Sequence, residues 1–443
     1  MIARRNLLRA MATAPNGRLS GWPHQNFTTE ILPADASHIE VQDPSPSNWR
    51  YRITHPRTES ALRHAAAELN SGELVAFPTE TVYGLGAVAT DERAVEKIYA
   101  AKGRPSDNPL IVHVSDLNMV RDVADDTHAT PACRCLMETF WPGSLTLLFP
   151  VRHSSSSSSE KGKARLPPSV TSQLPTVGIR MPSHPLARAL IALTGHPIAA
   201  PSSNASGRPS PTIAQHVYYD LGGPLDGAGG RIHYILDGGP CNVGVESTVV
   251  DASSVPSEVR ILRPGGVTVE AIQRALAARE LLASDADKDD GQRVRVRVYG
   301  RDLARSAQQE AHPTTPGMKY KHYSPNAKVV LVDVDAAAQT TWREALHAQL
   351  SAAAQTTHIG ILAPLDSPLA SAVSKGNLQL HHYSLGASAD SAVALFAGLR
   401  HLDELPVSLI FVQAQPQTEM GLAFMNRVEK AATERVAVRI EEQ

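Results

Sequence analysis

Residues 73–89 read ELVAFPTETVYGLGAVA, and the position of their two glycines decides what kind of sheet the chain builds. ELVAF (73–77) is a short apolar run of strand length between Gly72 and Pro78. Gly84-Leu85-Gly86-Ala87-Val88-Ala89 then meets the glycine spacing of a dinucleotide-binding turn. That turn needs its first glycine directly after the strand, because the pyrophosphate sits on the N-terminus of the helix that follows. Here six residues, Pro78 among them, separate Phe77 from Gly84. A dinucleotide-binding start is therefore rejected, and the glycines are taken to permit close approach of other backbone. Thr79, Glu80 and Thr81 form a polar loop at a strand's C-terminal end, where α/β sheets commonly receive ligands. Taken alone, a plain polar turn explains that loop better.

Working outward, Thr58 to Leu69 has the capping, Ala-rich body and following glycine of a helix, and Asp91 caps a second helix to about Ala101. Strand-like runs recur at 110–114, 145–150, 177–181, 197–201, 232–236, 247–251 and 258–262, with helical stretches near 132–140, 185–194, 212–220 and 268–278. Many strands with fewer helices predict one mixed α/β sheet rather than strict βαβ repetition. Beyond about residue 327 the pattern alternates strand and helix, which predicts a second domain with a mostly parallel, helix-covered sheet.

At 443 residues the chain is too long for one core, so two domains are expected. The expected division is a leader or disordered tail over 1–50, a catalytic domain over 55–280, a linker over 281–326 and a C-terminal domain over 327–443. The serine tract with its flanking charges and prolines, 153–169, is expected to be a disordered insertion. A formal charge of −2 gives no global attraction to nucleic acid, so any polyanion site must be local. Cys133, Cys135 and Cys241 cannot build a disulfide framework, point to a reducing compartment and lack zinc spacing, so no metal site is predicted. No apolar run is long enough to span a bilayer. Arg4, Arg5, Arg9 and Arg18, with no acid before Glu30, carry the charge bias of a mitochondrial leader, and a disordered tail accounts for them equally.

Several segments could carry chemistry. KGRPSDNPLIVHV (102–114) places Lys102 and Arg104 on a loop stiffened by Pro105 and Pro109, with Asn108 between the prolines and His113 on the strand that follows. Such cations suit a nucleotide triphosphate, and they equally suit a solvated basic turn at a helix end. Arg180 and Arg263 each end a strand. Residues 200–207, APSSNASG, form a donor-rich loop ahead of a helix near Thr212, and Gly244 to Thr248 adds a second hydroxyl pair. Pro316 to Pro325, PGMKYKHYSP, is an aromatic, basic segment able to close over a nucleotide or to dock between domains for packing alone. There is no Walker A sequence, no Ser-His-Asp arrangement, no paired-carboxylate signature and no metal-ligand cluster. That pattern favours a reaction run by positioning and charge stabilisation, as in nucleotidyl transfer.

Together the segments PTETVYGLG, KGRPSDNPL, WPGSLT, VGIRMP, PSSN, GVESTVVD, LRPGG, PGMKYKHYSP and GLAFMNRVEKAA resemble, in order from about residue 60 to 432, the long form of the YrdC-type threonylcarbamoyl-AMP synthases. The resemblance implies a twisted mixed-sheet catalytic domain, a smaller Rossmann-like C-terminal domain, and a linker that folds over the active site. It implies a nucleotidyltransferase that joins L-threonine, bicarbonate and ATP into L-threonylcarbamoyladenylate, releasing pyrophosphate, with Mg2+ arriving on ATP. The product would pass to a complex that modifies tRNA adenosine, with no direct tRNA contact required and no membrane involved.

Carried over by motif, Thr81, His113, Arg180, Ser202 and Ser247 are implied threonine ligands. Arg104, Asn108, Thr176, Asn204, Thr212, Arg263 and Tyr323 are implied on the ATP side, and Lys102 and Arg104 as the charge-stabilising pair. Ser203 stands where the family more often has alanine, which spares Ser202 and Asn204. A cytoplasmic location is implied, with a mitochondrial pool through the arginine-rich N-terminus. The rival classes are a carbamoyl-adenylate former of hydrogenase maturation, disfavoured by the three scattered cysteines, and a non-catalytic double-stranded RNA-binding module, disfavoured by the near-neutral charge.

Overall fold

Phe77 ends a strand and Gly84 begins the one that pairs back on it antiparallel, Phe77 facing Gly84, so the glycine segment is one arm of a hairpin and not a βα turn. The computed structural model describes residues 27–124, 129–152, 165–223, 229–283 without 256, 293–302, 322–352, 358–369 without 366 and 368, and 379–440 without 388 and 389. The predicted leader up to residue 26, the core of the serine tract and residues 316–321 of the aromatic segment lie outside the described residues.

The strands are β1 (Glu30–Pro33), β2 (Ile39–Asp43), β3 (Arg50–Ile53), β4 (Val75–Phe77), β5 (Gly84–Val88), β6 (Ile111–His113), β7 (Leu145–Pro150), β8 (Thr176–Arg180), β9 (Ile198–Ala199), β10 (Tyr234–Asp237), β11 (Thr248–Asp251), β12 (Glu258–Arg263) and β13 (Arg295–Val298), followed by β14 (Lys328–Val334), β15 (His358–Ala363), β16 (Gln379–Ser384), β17 (Leu409–Gln413) and β18 (Glu434–Val438). An 11-stranded sheet has the order β1-β10-β4-β5-β9-β6-β8-β7-β11-β12-β13 and mixes parallel and antiparallel pairs, as the strand-rich pattern predicts. The second sheet, β16-β15-β17-β14-β18, pairs in parallel throughout, which explains its apolar runs.

Gly86 shows why the hairpin needs glycine. A Cβ there would stand 2.9 Å from the Phe77 ring and 3.0 Å from Ile198 Cγ2. The next helix, Glu92–Lys102, starts where the Asp91 carboxylate accepts from the Arg93 and Ala94 amides, and it stops at Gly103. The preceding helix, Pro56–Asn70, is capped by His55 rather than by Thr58, which is buried inside the first turn.

Three expectations are corrected. Residues 30–33, 39–43 and 50–53, assigned to a disordered leader or its edge, are strands: β1 adds in parallel to β10, and β2 pairs with β3. None of them buries more than one residue, so none stands out as an apolar run in the sequence, and they exist by pairing. Residues 295–298, placed in the linker, form β13 on the edge of the large sheet beside β12. The end of the serine insertion is ordered, because Leu166 is buried and Pro168 opens a one-turn helix at its favoured first position.

The two sheets share packing. Val82 and Val245 from loops of the large sheet, together with Tyr323, enter the same apolar cluster as Phe396, Leu399 and Phe424 around the second sheet. Polar contacts reinforce this junction. Arg400 Nη2 lies 2.7 Å from Asp220 Oδ2, and Arg208 Nη2 lies 2.9 Å from Asp403 Oδ2.

Candidate active site

One cleft opens where the loops leaving β4, β8, β9 and β12 and entering β5 and β11 converge. Among its walls are Arg104, His113, Arg180, Ser202, Ser247, Arg263 and Tyr323. These side chains come from segments spread over more than 200 positions, and the mixed sheet collects them because each lies at a strand end or on an adjoining loop.

Arg180, at the end of β8, donates from Nε to the Gly143 carbonyl (3.2 Å), and its Nη2 pairs with Glu80 Oε1 at 2.7 Å. Burial pushes the Glu80 carboxyl up, but Arg180 outweighs it and holds the group below its ordinary value. Arg263 donates to the Ser247 carbonyl (2.9 Å from Nη2), so β12 and the loop before β11 are locked together. Gly265 permits this, since a Cβ there would lie 2.3 Å from the Glu246 carbonyl oxygen. Arg104 donates to the Asn108 and Pro109 carbonyls, which folds the 104–109 loop around its own guanidinium.

His113 Nδ1 faces the Ile111 carbonyl at 3.2 Å, which leaves Nε2 as the acceptor of a neutral ring. Burial, then Arg180, lowers its pKa to about 3. Tyr323 is buried at φ +66°, an uncommon conformation for a tyrosine, with its ring 5.1 Å from Phe396. Burial and then Glu246 raise its phenol to about 12, so it stays protonated.

The remaining predicted residues lie around the cleft rather than on its wall. Lys102 is buried behind the 202–204 loop, its ammonium donating to the Ser202 and Asn204 carbonyls. Asn204 accepts the Ser202 hydroxyl at 2.6 Å and donates to the Ala205 and Arg208 carbonyls. Thr81 shares a 2.8 Å hydrogen bond with Thr79, and Thr212 contacts His216. Buried Asn108 leaves its Oδ1 without a partner among the described residues. Thr176 lines a separate hollow with Pro109, Thr146 and Val249.

Glu246 and His322 also line the cleft and were not predicted, and Arg427 stands directly behind Glu246. The available signal was position: Glu246 adjoins Ser247, His322 adjoins Tyr323, and Arg427 lies in the GLAFMNRVEKAA segment. Among the described residues no group of three His, Cys, Asp or Glu could hold a metal, and both nearby carboxylates, Glu80 and Glu246, already face arginines. No described helix is long and apolar enough to cross a membrane.

The family model described as "Telomere recombination" matches residues 67–265, and the one described as "Threonylcarbamoyl-AMP synthase, C-terminal domain" matches residues 267–433. The chain is 41% identical over 381 residues to the threonylcarbamoyl-AMP synthase of Bacillus subtilis (strain 168), covering 85% of this chain and 94% of that one. It is 38% identical over 433 residues to that of Schizosaccharomyces pombe, covering 91% and 98%. Among solved structures it is similar to P. abyssi Sua5 complexed with L-threonine, at 33% identity and TM-score 0.68, covering 93% of this chain and all of that one. These likenesses run through both sheets and the segment between them, so the chain belongs to the threonylcarbamoyl-AMP synthase family, in its long form.

Proposed function

We propose that the cleft joins L-threonine, bicarbonate and ATP into L-threonylcarbamoyladenylate and pyrophosphate. The convergence of Arg104, Arg180 and Arg263 on one cleft, with serine hydroxyls between them, is the observation that carries this reading. Three separate guanidinium groups can receive a carboxylate and a triphosphate without a P-loop. Cations set inside a cleft, Arg180 and Arg263 buried and Arg104 half-buried, suit a small polyanion rather than the exposed face of a duplex, which removes support from an RNA-binding module.

In this scheme the threonine carboxylate lies against Arg180, near Ser202, Ser247, Thr81 and His113. The amine takes up the carbon of bicarbonate and releases water, giving a carbamate. A carbamate oxygen then attacks the α-phosphorus of ATP, and the α–β bridging oxygen leaves with pyrophosphate. Arg104 and Arg263 stabilise charge on the phosphates, and Tyr323 closes the cleft. Asn108, Asn204 and Thr212 hold the nucleotide side, joined by Thr176 from the adjoining hollow that shares Ile111 with the cleft. Lys102, fastened to the 202–204 carbonyls, acts by keeping Ser202 and Asn204 in place. Mg2+ enters with ATP as part of the substrate, carried by phosphates and water.

A catalytic domain that takes in the large sheet from β1 to β13, a connecting segment up to residue 326 and a C-terminal domain over 327–443 are part of this proposal. So are hand-over of the adenylate to a tRNA-modifying complex, a cytoplasmic location and a mitochondrial pool. The test is pyrophosphate release from ATP on adding bicarbonate with threonine or with serine. Release should depend on threonine; equal release with serine, or without an amino acid, would sink the reading.

A further inference from the structure

Arg427 is the largest fully buried side chain among the described residues, yet it belongs to the Met420–Ala431 helix of the second sheet. Its Nε donates to Glu246 Oε2 at 3.0 Å, and its Nη1 donates to the carbonyl of Pro264, the residue after Arg263. The other Glu246 oxygen accepts from Ser210 at 2.5 Å. Glu246 itself lines the cleft and precedes Ser247, which accepts from Arg263. One guanidinium from the second sheet thus braces both sides of the Arg263–Ser247 lock. It also neutralises Glu246, the one carboxylate on the cleft wall among the described residues, in a site built to receive anions.

We propose that Arg427 is a positioning residue of the synthase reaction: by pairing with Glu246 and the Pro264 carbonyl it orients Arg263 and cancels a carboxylate charge that would repel the triphosphate. This role rests on the proposed function. The charge logic makes a selective demand. ATP carries several negative charges and threonine is a zwitterion, so losing the pairing should weaken ATP binding far more than threonine binding.

The experiment is steady-state pyrophosphate release by the full chain for the wild type, Arg427→Met, Arg427→Lys, Glu246→Gln and the Arg427→Met/Glu246→Gln double variant, with surface Arg435→Met as control. Arg427→Met should raise KM for ATP roughly tenfold or more while KM for threonine moves less than about threefold. Arg427→Lys should lie between the wild type and Arg427→Met. The double variant should return KM for ATP to within about threefold of Glu246→Gln, because a neutral glutamine at position 246 no longer needs a cation. A purely structural arginine would show no such recovery, and its absence, or an unchanged KM for ATP in Arg427→Met, overturns the role. Should Arg427→Met fail to fold, Arg427→Lys and the double variant read the same contrast. An inactive wild type would instead overturn the proposed function itself, and this role with it.

Discussion

Arg104 spends its hydrogen bonds on carbonyls of its own loop, so removing it empties one corner of the cleft without opening the core. Arg104→Ala is expected to lower kcat/KM at least about 100-fold, as loss of a charge-stabilising group does, while the thermal midpoint stays near the wild type. Normal turnover, measured beside a melting curve, would remove Arg104 from the site. The buried histidines predict acid sensitivity. Burial, followed by Arg180 for His113 and Arg400 for His216, lowers both from 6.5 to about 3. Between those values the unfolded chain binds protons that the native chain refuses. Stability present at pH 7 is therefore lost as pH falls below 6.5, by up to about 1.4 kcal/mol per pH unit for each histidine. Urea denaturation should show a lower midpoint at pH 5.5 than at pH 7.5, and equal midpoints would contradict the buried, neutral assignment. Arg180, Ser247 and His113 were legible as polar groups at strand ends. Glu80 and Glu246 were not, because a carboxylate in an anion site looks out of place until tertiary pairing with Arg180 and Arg427 removes the conflict.

Among the elements, the turn after β12 tolerates far less than the β4–β5 hairpin. A Cβ at Gly265 would meet backbone of residues 246–248 at 2.3–2.5 Å, whereas one at Gly86 meets the movable Phe77 ring at 2.9 Å. Gly265→Ala should cost about 3 kcal/mol or more and most activity, and Gly86→Ala about 1–2 kcal/mol. Denaturation curves that rank the two variants the other way would contradict the close approach of β12 to the loop before β11. Periodicity revealed β7, β8, β12, β14, β15 and β17 because each is a run of five or more residues with at least two buried apolar positions. It did not reveal β1, β2, β3 or β13, short strands with at most one buried residue that exist only through their partners, nor β5, whose glycines read as permitting close backbone approach.

At the scale of the whole molecule, the second sheet helps to form the site. Arg400 is buried between the sheets, donating to the Pro209 carbonyl and pairing with Asp220, which also accepts the Ala205 amide. It thereby fixes the loop that carries Ser202 and Asn204. Arg400→Met leaves Asp220 buried with Arg208 as its remaining cation among the described residues and should cost about 3 kcal/mol or more. An unchanged calorimetric midpoint would show that the junction is looser than its geometry. The most direct test of the central claim is the product itself. The chain is incubated with ATP, L-threonine and 13C-bicarbonate, and the nucleotides are resolved by mass spectrometry. An AMP conjugate holding threonine and one labelled carbon, formed in equal amount with pyrophosphate, is the predicted result. AMP and pyrophosphate without a labelled conjugate, or a labelled conjugate formed without threonine, would contradict the account.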